Sequence, residues 1–397
     1  MQKLWIASEL FFPEETSTSF ILTKVANKLV EKYDVKVICG APIQEKQSIS
    51  STFFLDPKVS LHRVHSRFKD KNSLLQRSLR FIYLSFSIFF YLLWRVKKHD
   101  KVLIVTNPAP LILLISLLKL LKSNKLIILV HDVFPENTVP AGIFKSQNSM
   151  PYKILKKIFD WAYRNADLLI VLGRDMHEVI ASKIGGSGSK NKIKIIENWA
   201  DTDQIYPLDK SEHEDTRLKS KIVFQYAGNL GRVQGLMELL EVIQKVNNNV
   251  IFFQFVGEGA IKQKMLDFVR SNNLKNVYFG NGYTRDEQLG ILNQSDVGFV
   301  SLASGMYGLG VPSKTYNILS AGKSVLYIGE KNSEIDLLIK ERNIGYSFQD
   351  IKELVSFFNN FGEASLADLK VKQINAREVA KNYFSETIIL NKFYDII

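Results

Sequence analysis

Short apolar runs alternate with longer stretches in which apolar residues recur every three or four positions, from one end of the chain to the other. Runs of about four to eight apolar residues suit strands buried on both faces, and the wider spacing suits helices with one face on a core. In the first half the expected strands are KLWIAS, VKVICG, VLIVT, LIILVHD, LLIVLG and IKIIEN. In the second half they are IVFQYAG, VIFFQFVG, NVYFG, VGFVSL, SVLYIG and IGYSF. Helix-length stretches such as ILTKVANKLVEKY and LMELLEVIQKVNN separate them. This rhythm predicts an α/β chain of parallel sheets with helices on both faces. The polar, aperiodic stretch DTDQIYPLDKSEHEDTRLKSK reads as a connector, so two doubly wound, Rossmann-like domains are expected to meet near residue 200. Such sheets bind ligands at the carboxyl ends of their strands, which makes a cleft between two facing domains the expected site. The final AREVAKNYFSETIILNKFYDII is helical in pattern and either closes the second domain or crosses back to the first.

Composition narrows the function classes. The 397 residues are 46% hydrophobic and 23% charged, which is ordinary for a folded domain pair. The single cysteine, Cys39, excludes an internal disulfide framework and a cysteine-built metal site, and within KVICGAP it reads as a small buried hydrophobe. No His-x-x-x-His spacing is present, so no metal site is expected. The net charge of +12 calls for an anionic partner. Nine Lys or Arg lie between Arg67 and Lys101 against only Asp70 and Asp100, and among them sits FIYLSFSIFFYLLW, residues 81 to 94. That segment is too short to span a bilayer, which needs roughly 20 residues. Aromatics beside clustered cations suit an acidic membrane surface, and residues 77 to 101 are the expected docking segment; a buried helix with solvated charged ends is the alternative. Nucleic acid is not expected, since no recognition motif is present. The apolar run 102 to 118 is broken by Asn107, Pro108 and Pro110 into strand, turn and helix. The start MQKLWIASELFFPEE reads as a strand rather than a signal peptide, which points to the cytoplasm.

Three turns in the second half look ligand-facing. FQYAGNLGRVQGLMELL carries Gly228, Gly231 and Gly235 between a strand and a helix, with Asn229 and Arg232 in the turn. Glycines there let backbone N–H groups approach a phosphate, although they also serve plain packing. FVGEGAIKQKML forms a second turn around Glu258. In GLGVPSKTYNILSAGKSVL, Pro312 and Ser313 read as a helix start and Gly322 as its stop. This puts Lys314 in a first turn, where the helix dipole already disfavours a cation. An anionic ligand would resolve the conflict; so would simple exposure to solvent. In the first half, LIILVHDVFPEN places His131, Asp132 and Glu136 after a strand, where they could handle a hydroxyl proton or cap a helix. SELFFPEETSTSF offers Glu14, Thr16 and Ser17 to the same end, with Thr18 or Ser19 as a helix cap.

Taken in order, FFPEE, HDVFPEN, IIENWAD, YAGNLGRVQGL, VGEG, SDVGFVSL and PSKTYNILSAGKSVL resemble the retaining GT-B glycosyltransferases of family 4 over nearly the whole chain. The likeness is strongest to the bacterial group that builds O-antigen, capsule and exopolysaccharide, fucosamine transferases included. The resemblance implies an acceptor-binding domain over residues 1–199, a nucleotide-sugar-binding domain over 200–375, and a helix at 376–397 crossing back to the first. It implies a UDP-linked donor held by Gly228, Asn229, Gly231, Arg232, Glu258, Ser313, Lys314, Tyr316 and Asn317, with Lys314 and Arg232 on the diphosphate. It implies a lipid-linked saccharide acceptor near Glu14, Thr16 and Ser17, catalytic His131, Asp132 and Glu136, no cofactor and no obligatory metal. The chain departs from the family at Asn317, where a glutamate usually meets the ribose, and at GLGV, where an earlier glutamate is missing. Asn229 and Gln234 stand where basic residues are common, so Arg232 is the one basic candidate in that turn. Two other readings fit the same fold: a sugar-nucleotide 2-epimerase, and a non-catalytic sugar-nucleotide-binding partner.

Overall fold

Thirteen strands form two wholly parallel sheets in a computed structural model that describes residues 1–14, 16–42, 53–66, 74–185, 191–208, 221–231 and 234–397. Side chains at positions 74, 75 and 77 are outside that description. The chain divides into two compact units, one of Met1–Glu197 with Gly308–Gly310 and Leu390–Ile397, the other of Asn198–Tyr307 with Val311–Ile389.

The first unit holds β1 (Lys3–Ser8), β2 (Asp34–Gly40), β3 (Ser60–Val64), β4 (Lys101–Val105), β5 (Lys125–Val130), β6 (Leu168–Val171) and β7 (Ile193–Ile195), in spatial order β3-β2-β1-β4-β5-β6-β7. The second holds β8 (Ile222–Ala227), β9 (Ile251–Val256), β10 (Val277–Gly280), β11 (Val297–Ser301), β12 (Ser324–Ile328) and β13 (Gly345–Phe348), ordered β10-β9-β8-β11-β12-β13. Both orders reverse direction beside the first strand of the unit, which is the doubly wound pattern. Twelve of the strands coincide with the apolar runs, because β1, β4, β5, β8, β11 and β12 are buried along almost their whole length. The exception is β3, SLHRV, an edge strand whose residues are all at least partly exposed and which therefore has no apolar run.

The second core is aromatic. The Phe224 ring lies within 5.0 Å of Phe358, 5.9 Å of Phe299 and 6.1 Å of Phe253, in tilted and edge-on arrangements. Cys39 is buried as expected, and burial pushes its thiol up to about 12, which leaves it unreactive.

Three helical expectations change. The last segment is two helices, Glu363–Tyr383 and Glu386–Ile396, because Ala200 pairs with Ser385 and its N–H donates to the Phe384 carbonyl at 2.7 Å. Arg377 donates to the carbonyls of Ile205 and Ser320 and so stays with the second unit. The part grouped with the first unit is Leu390–Ile397, where the Tyr33 hydroxyl donates to the Ile397 carbonyl at 2.7 Å. Within the basic segment, Leu74–Arg95 is one helix. Arg80 points into the core, 6% exposed, with its Nε 3.3 Å from Glu9. Lys101 is also turned inward, onto the Tyr33 hydroxyl and the Ile397 carbonyl. Neither is a surface cation. Among the described residues no helix is long and apolar enough to cross a membrane.

Candidate active site

In the second unit, the turns after β8 and β9 are built on each other. The Gly228 N–H donates to Val256 O and the Leu230 N–H to Glu258 O, both at 2.9 Å. Gly257 has φ +146 and any Cβ there would overlap the Gly228 carbonyl; one at Gly259 would overlap Leu230. These two glycines therefore serve close packing of loop on loop. Gly228, at φ +136, faces open space, as a ligand-facing turn requires. Glu258 is surface-exposed and bonded at 2.7 Å to Lys262, and it accepts from the Gly282 N–H at 3.2 Å. The Lys262 contact, aided by that N–H, holds its carboxyl below the usual range. Arg232 lies outside the described residues.

The helix Lys314–Ser320 starts differently from the expectation. Ser313 is already in helical conformation at φ −61, ψ −28, so its hydroxyl cannot reach back to cap the next turn, and it makes no cap bond. The N–H groups of Thr315 and Tyr316 donate to the carbonyls of Pro312 and Ser313 at 3.2 and 3.3 Å, which removes them as anion donors. Tyr316 is fully buried with its ring edge-on to Phe384 at 5.1 Å, so its ring packs in the interior. Asn317 accepts from the Asp201 N–H at 3.4 Å and thereby ties the helix to the connector.

The side chain of Lys314 stands out at this helix start. Its stem is half-buried, but its Nζ is fully buried, has no hydrogen-bond partner among the described residues, and sits 3.3 Å from the centroid of the Tyr226 ring. Burial lowers its pKa well below the ordinary lysine value. The Tyr226 hydroxyl donates to Asn229 O at 3.0 Å, so Lys314, Tyr226 and Asn229 form one connected set at the carboxyl end of β8. The Gln234 Oε1 is likewise buried without a partner among the described residues. Unpaired buried polar groups are costly, so their gathering at a strand end makes this the candidate ligand site of the second unit.

In the first unit, the carboxyl ends of β4 and β5 hold His131 and Asp132. Both backbone N–H groups donate to Thr106 Oγ1, at 3.1 and 3.0 Å. His131 Nδ1 lies 3.4 Å from Thr18 Oγ1, while Nε2 is buried and unpaired. Burial brings the His131 pKa down to about 4 and raises that of Asp132. Gly310 lies against this turn, with its Cβ direction 3.5 Å from Asp132 Oδ1, and the Val133 N–H donates to Leu309 O at 3.0 Å. Neither Thr18 nor Thr106 is marked as a site residue by the sequence: Thr18 reads as a helix cap, and Thr106 follows a strand without any motif. The actual cap of helix Ser17–Leu29 is Thr16, whose Oγ1 accepts from the Ser19 N–H at 3.3 Å. Ser17 is exposed and Glu14 half-buried.

Glu136 is elsewhere. It opens a short 3-10 helix, Glu136–Thr138, is 9% exposed, and neither caps a helix nor faces solvent. Lys183 Nζ lies 2.7 Å from both its oxygens and Lys156 Nζ 3.0 Å from one, while Lys183 also contacts Asp160 at 2.6 Å. With both oxygens committed to ammonium groups, Glu136 is placed as a structural ion-pair partner rather than as the expected general base.

Residues 21–204 match the glycosyltransferase family 4 domain. The Pseudomonas aeruginosa protein "Probable glycosyltransferase WbjE" is 33% identical over 404 aligned positions, covering 99% of this chain and 97% of that one. The structure of Anabaena Alr3699/HepE in complex with UDP superposes with a TM-score of 0.71 at 12% identity, over 100% of this chain and 99% of the other. The structure of WaaG, a glycosyltransferase involved in lipopolysaccharide biosynthesis, superposes with a TM-score of 0.66 at 12% identity, over 99% of both chains. The fold is therefore GT-B, and full-length kinship at this identity shows that the chain belongs to the family 4 glycosyltransferases.

Proposed function

We propose that this glycosyltransferase moves a sugar from a UDP-linked donor to a lipid-linked saccharide in the assembly of a bacterial surface polysaccharide, with retention of anomeric configuration. The observation that carries the donor half is the buried, unpartnered Nζ of Lys314 beside the open Gly228 turn. In transfer, the acceptor hydroxyl oxygen bonds to the anomeric carbon, the bond from that carbon to the diphosphate breaks, and the hydroxyl proton is released. Negative charge grows on the leaving diphosphate, and a preoriented cation in a water-poor site stabilises that charge best. The diphosphate is neutralised in this reading by protein groups, with no obligatory metal. His131 and Asp132 orient the acceptor from the first unit, with Thr106 and Thr18 fixing His131. The bound UDP of the HepE structure and the polysaccharide role of WaaG are consistent with this reading.

Membrane docking belongs to the same proposal, with its weight moved from charge to apolar contact. On helix Leu74–Arg95 the exposed residues Ile82, Tyr83, Phe86, Phe90 and Trp94 follow helical spacing and form one outward stripe. Arg95, Lys97 and Lys98 are the exposed cations at its end. Helix Met150–Asn165 adds exposed Ile154, Ile158 and Trp161. Such a helix face, apolar and flanked by cations, suits peripheral attachment.

The test is incubation with a panel of UDP-sugars, with and without a membrane fraction carrying lipid-linked saccharide. Sugar transfer and UDP release that require the acceptor are expected. A donor epimerised without acceptor, or bound without turnover under either condition, would replace this reading with one of its two alternatives.

A further inference from the structure

A second pocket lies on the first sheet, near the amino ends of its strands. Its volume is about 330 Å³, a size that suits a small molecule, and its walls include Lys3, Trp5, Lys36, His62, Tyr91 and Arg95. Strand register explains the convergence. Trp5 pairs with Lys36, and Lys36 pairs with Ser60, so the three side chains share one face of β1, β2 and β3. Lys3 and His62, each two residues along its strand, point the same way. Helix Leu74–Arg95 lays its last turn over them. The Arg95 guanidinium stands 3.8 Å from the Tyr91 ring centroid, and that ring stacks on His62 at 4.2 Å with an 18° tilt.

The charges around the pocket are unequal. Among the described residues Lys3 has no partner and Arg95 is held by stacking on Tyr91, while Lys36 lies 3.5 Å from Asp34. The other carboxylate nearby, Asp100, is taken up by the Trp5 Nε1–H at 3.4 Å and the Lys97 N–H at 2.9 Å. Three cations thus meet one loosely paired carboxylate beside a flat aromatic wall.

We propose that this pocket binds a phosphate ester. Two ammonium groups and a guanidinium fork match phosphate oxygens, and the Tyr91–His62 stack supplies an apolar wall for the esterified group. The site is distinct from catalysis, because His131 and Asp132 stand at the opposite, carboxyl ends of the same sheet. The ester comes either from a soluble metabolite or from the headgroup of an acidic phospholipid, since exposed Phe90 and Trp94 adjoin the pocket on the same helix.

Calorimetric titration of the full chain with glycerol 1-phosphate tests this, with UDP titrated on the same samples. Saturable ester binding is expected, weakened about tenfold or more by Lys3→Gln and by Lys36→Gln, with UDP affinity unchanged. Arg95→Lys keeps the charge, loses the fork, and should fall between. Vesicles of equimolar phosphatidylcholine and phosphatidic acid separate the sources. Vesicle binding that depends on Lys3 and Lys36 assigns the lipid headgroup; ester binding that vesicles do not compete assigns a soluble ester. Unchanged affinity for both probes in folded Lys3→Gln and Lys36→Gln, no binding of either probe by the unaltered chain, or competition between the ester and UDP would overturn the proposal. Because UDP binding is read separately, failure here is distinguishable from failure of the donor site.

Discussion

The Nζ of Lys314 stands 3.3 Å from the centroid of the Tyr226 ring and has no hydrogen-bond acceptor among the described residues. The ring face offers some compensation for the ammonium, but less than water or an anion would. In the ligand-free protein Lys314 is therefore a liability. Lys314→Met should raise ligand-free stability by about 1–3 kcal/mol, visible as a higher Tm, while reducing turnover sharply. A Tm that falls on substitution would show that Lys314 supports the fold instead.

His131 gives a pH signature. Its folded pKa of about 4 lies below the ordinary value of 6.5, so the unfolded chain binds the proton first as pH falls. Stability from this group is complete above pH 6.5 and is lost as pH drops towards 4, by about 3 kcal/mol at the limit. His131→Asn should flatten that part of the stability curve in urea titrations from pH 7 to 4. The same substitution should lower the transfer rate without changing UDP affinity, since His131 belongs to the first unit.

Glu136 and Lys183 should behave as a buried ion pair. Lys183→Ala leaves Glu136 with one partly exposed lysine and should cost about 3–5 kcal/mol in denaturant unfolding. Glu136→Gln should destabilise too, yet retain transfer activity per folded molecule. Loss of activity in a Glu136→Gln protein of unaltered stability would restore it as a catalytic group.

Vesicle attachment should depend more on the apolar stripe than on charge. Three exposed cations, at roughly 1 kcal/mol each near an anionic surface, give a modest, salt-sensitive share. Phe90→Ser with Trp94→Ser should abolish sedimentation with acidic vesicles, whereas high salt should weaken it only in part. Unaltered sedimentation of that double variant would refute the docking face.

Much of this was legible in the sequence, for a physical reason. A parallel sheet covered on both faces demands continuous apolar strands, and β1, β5, β8 and β12 announce themselves that way. β3 does not, since an edge strand buries little. The strand-end positions of His131 and Asp132 and the helix-start position of Lys314 were equally readable. Pairing was not. Arg80 belongs to a run of cations in the sequence, yet pairs with Glu9; Lys101 turns onto the Ile397 carbonyl, and Glu136 onto Lys183. Each partner is remote in the chain, so no local pattern records the contact. Tyr316 shares its motif with Lys314, but helix geometry turns the two to opposite fates.

The most direct measurement is UDP titration of the unaltered chain and of Lys314→Met by calorimetry, each in buffers of different ionisation enthalpy. Burial depresses the Lys314 pKa in the free protein, and a diphosphate beside it raises that pKa again. Binding to the unaltered chain should therefore take up protons at a pH above the depressed value, and affinity should fall as pH rises. Lys314→Met should lose the proton uptake and at least about tenfold in affinity. Equal UDP affinity in both proteins, with no proton uptake in either, would contradict the account.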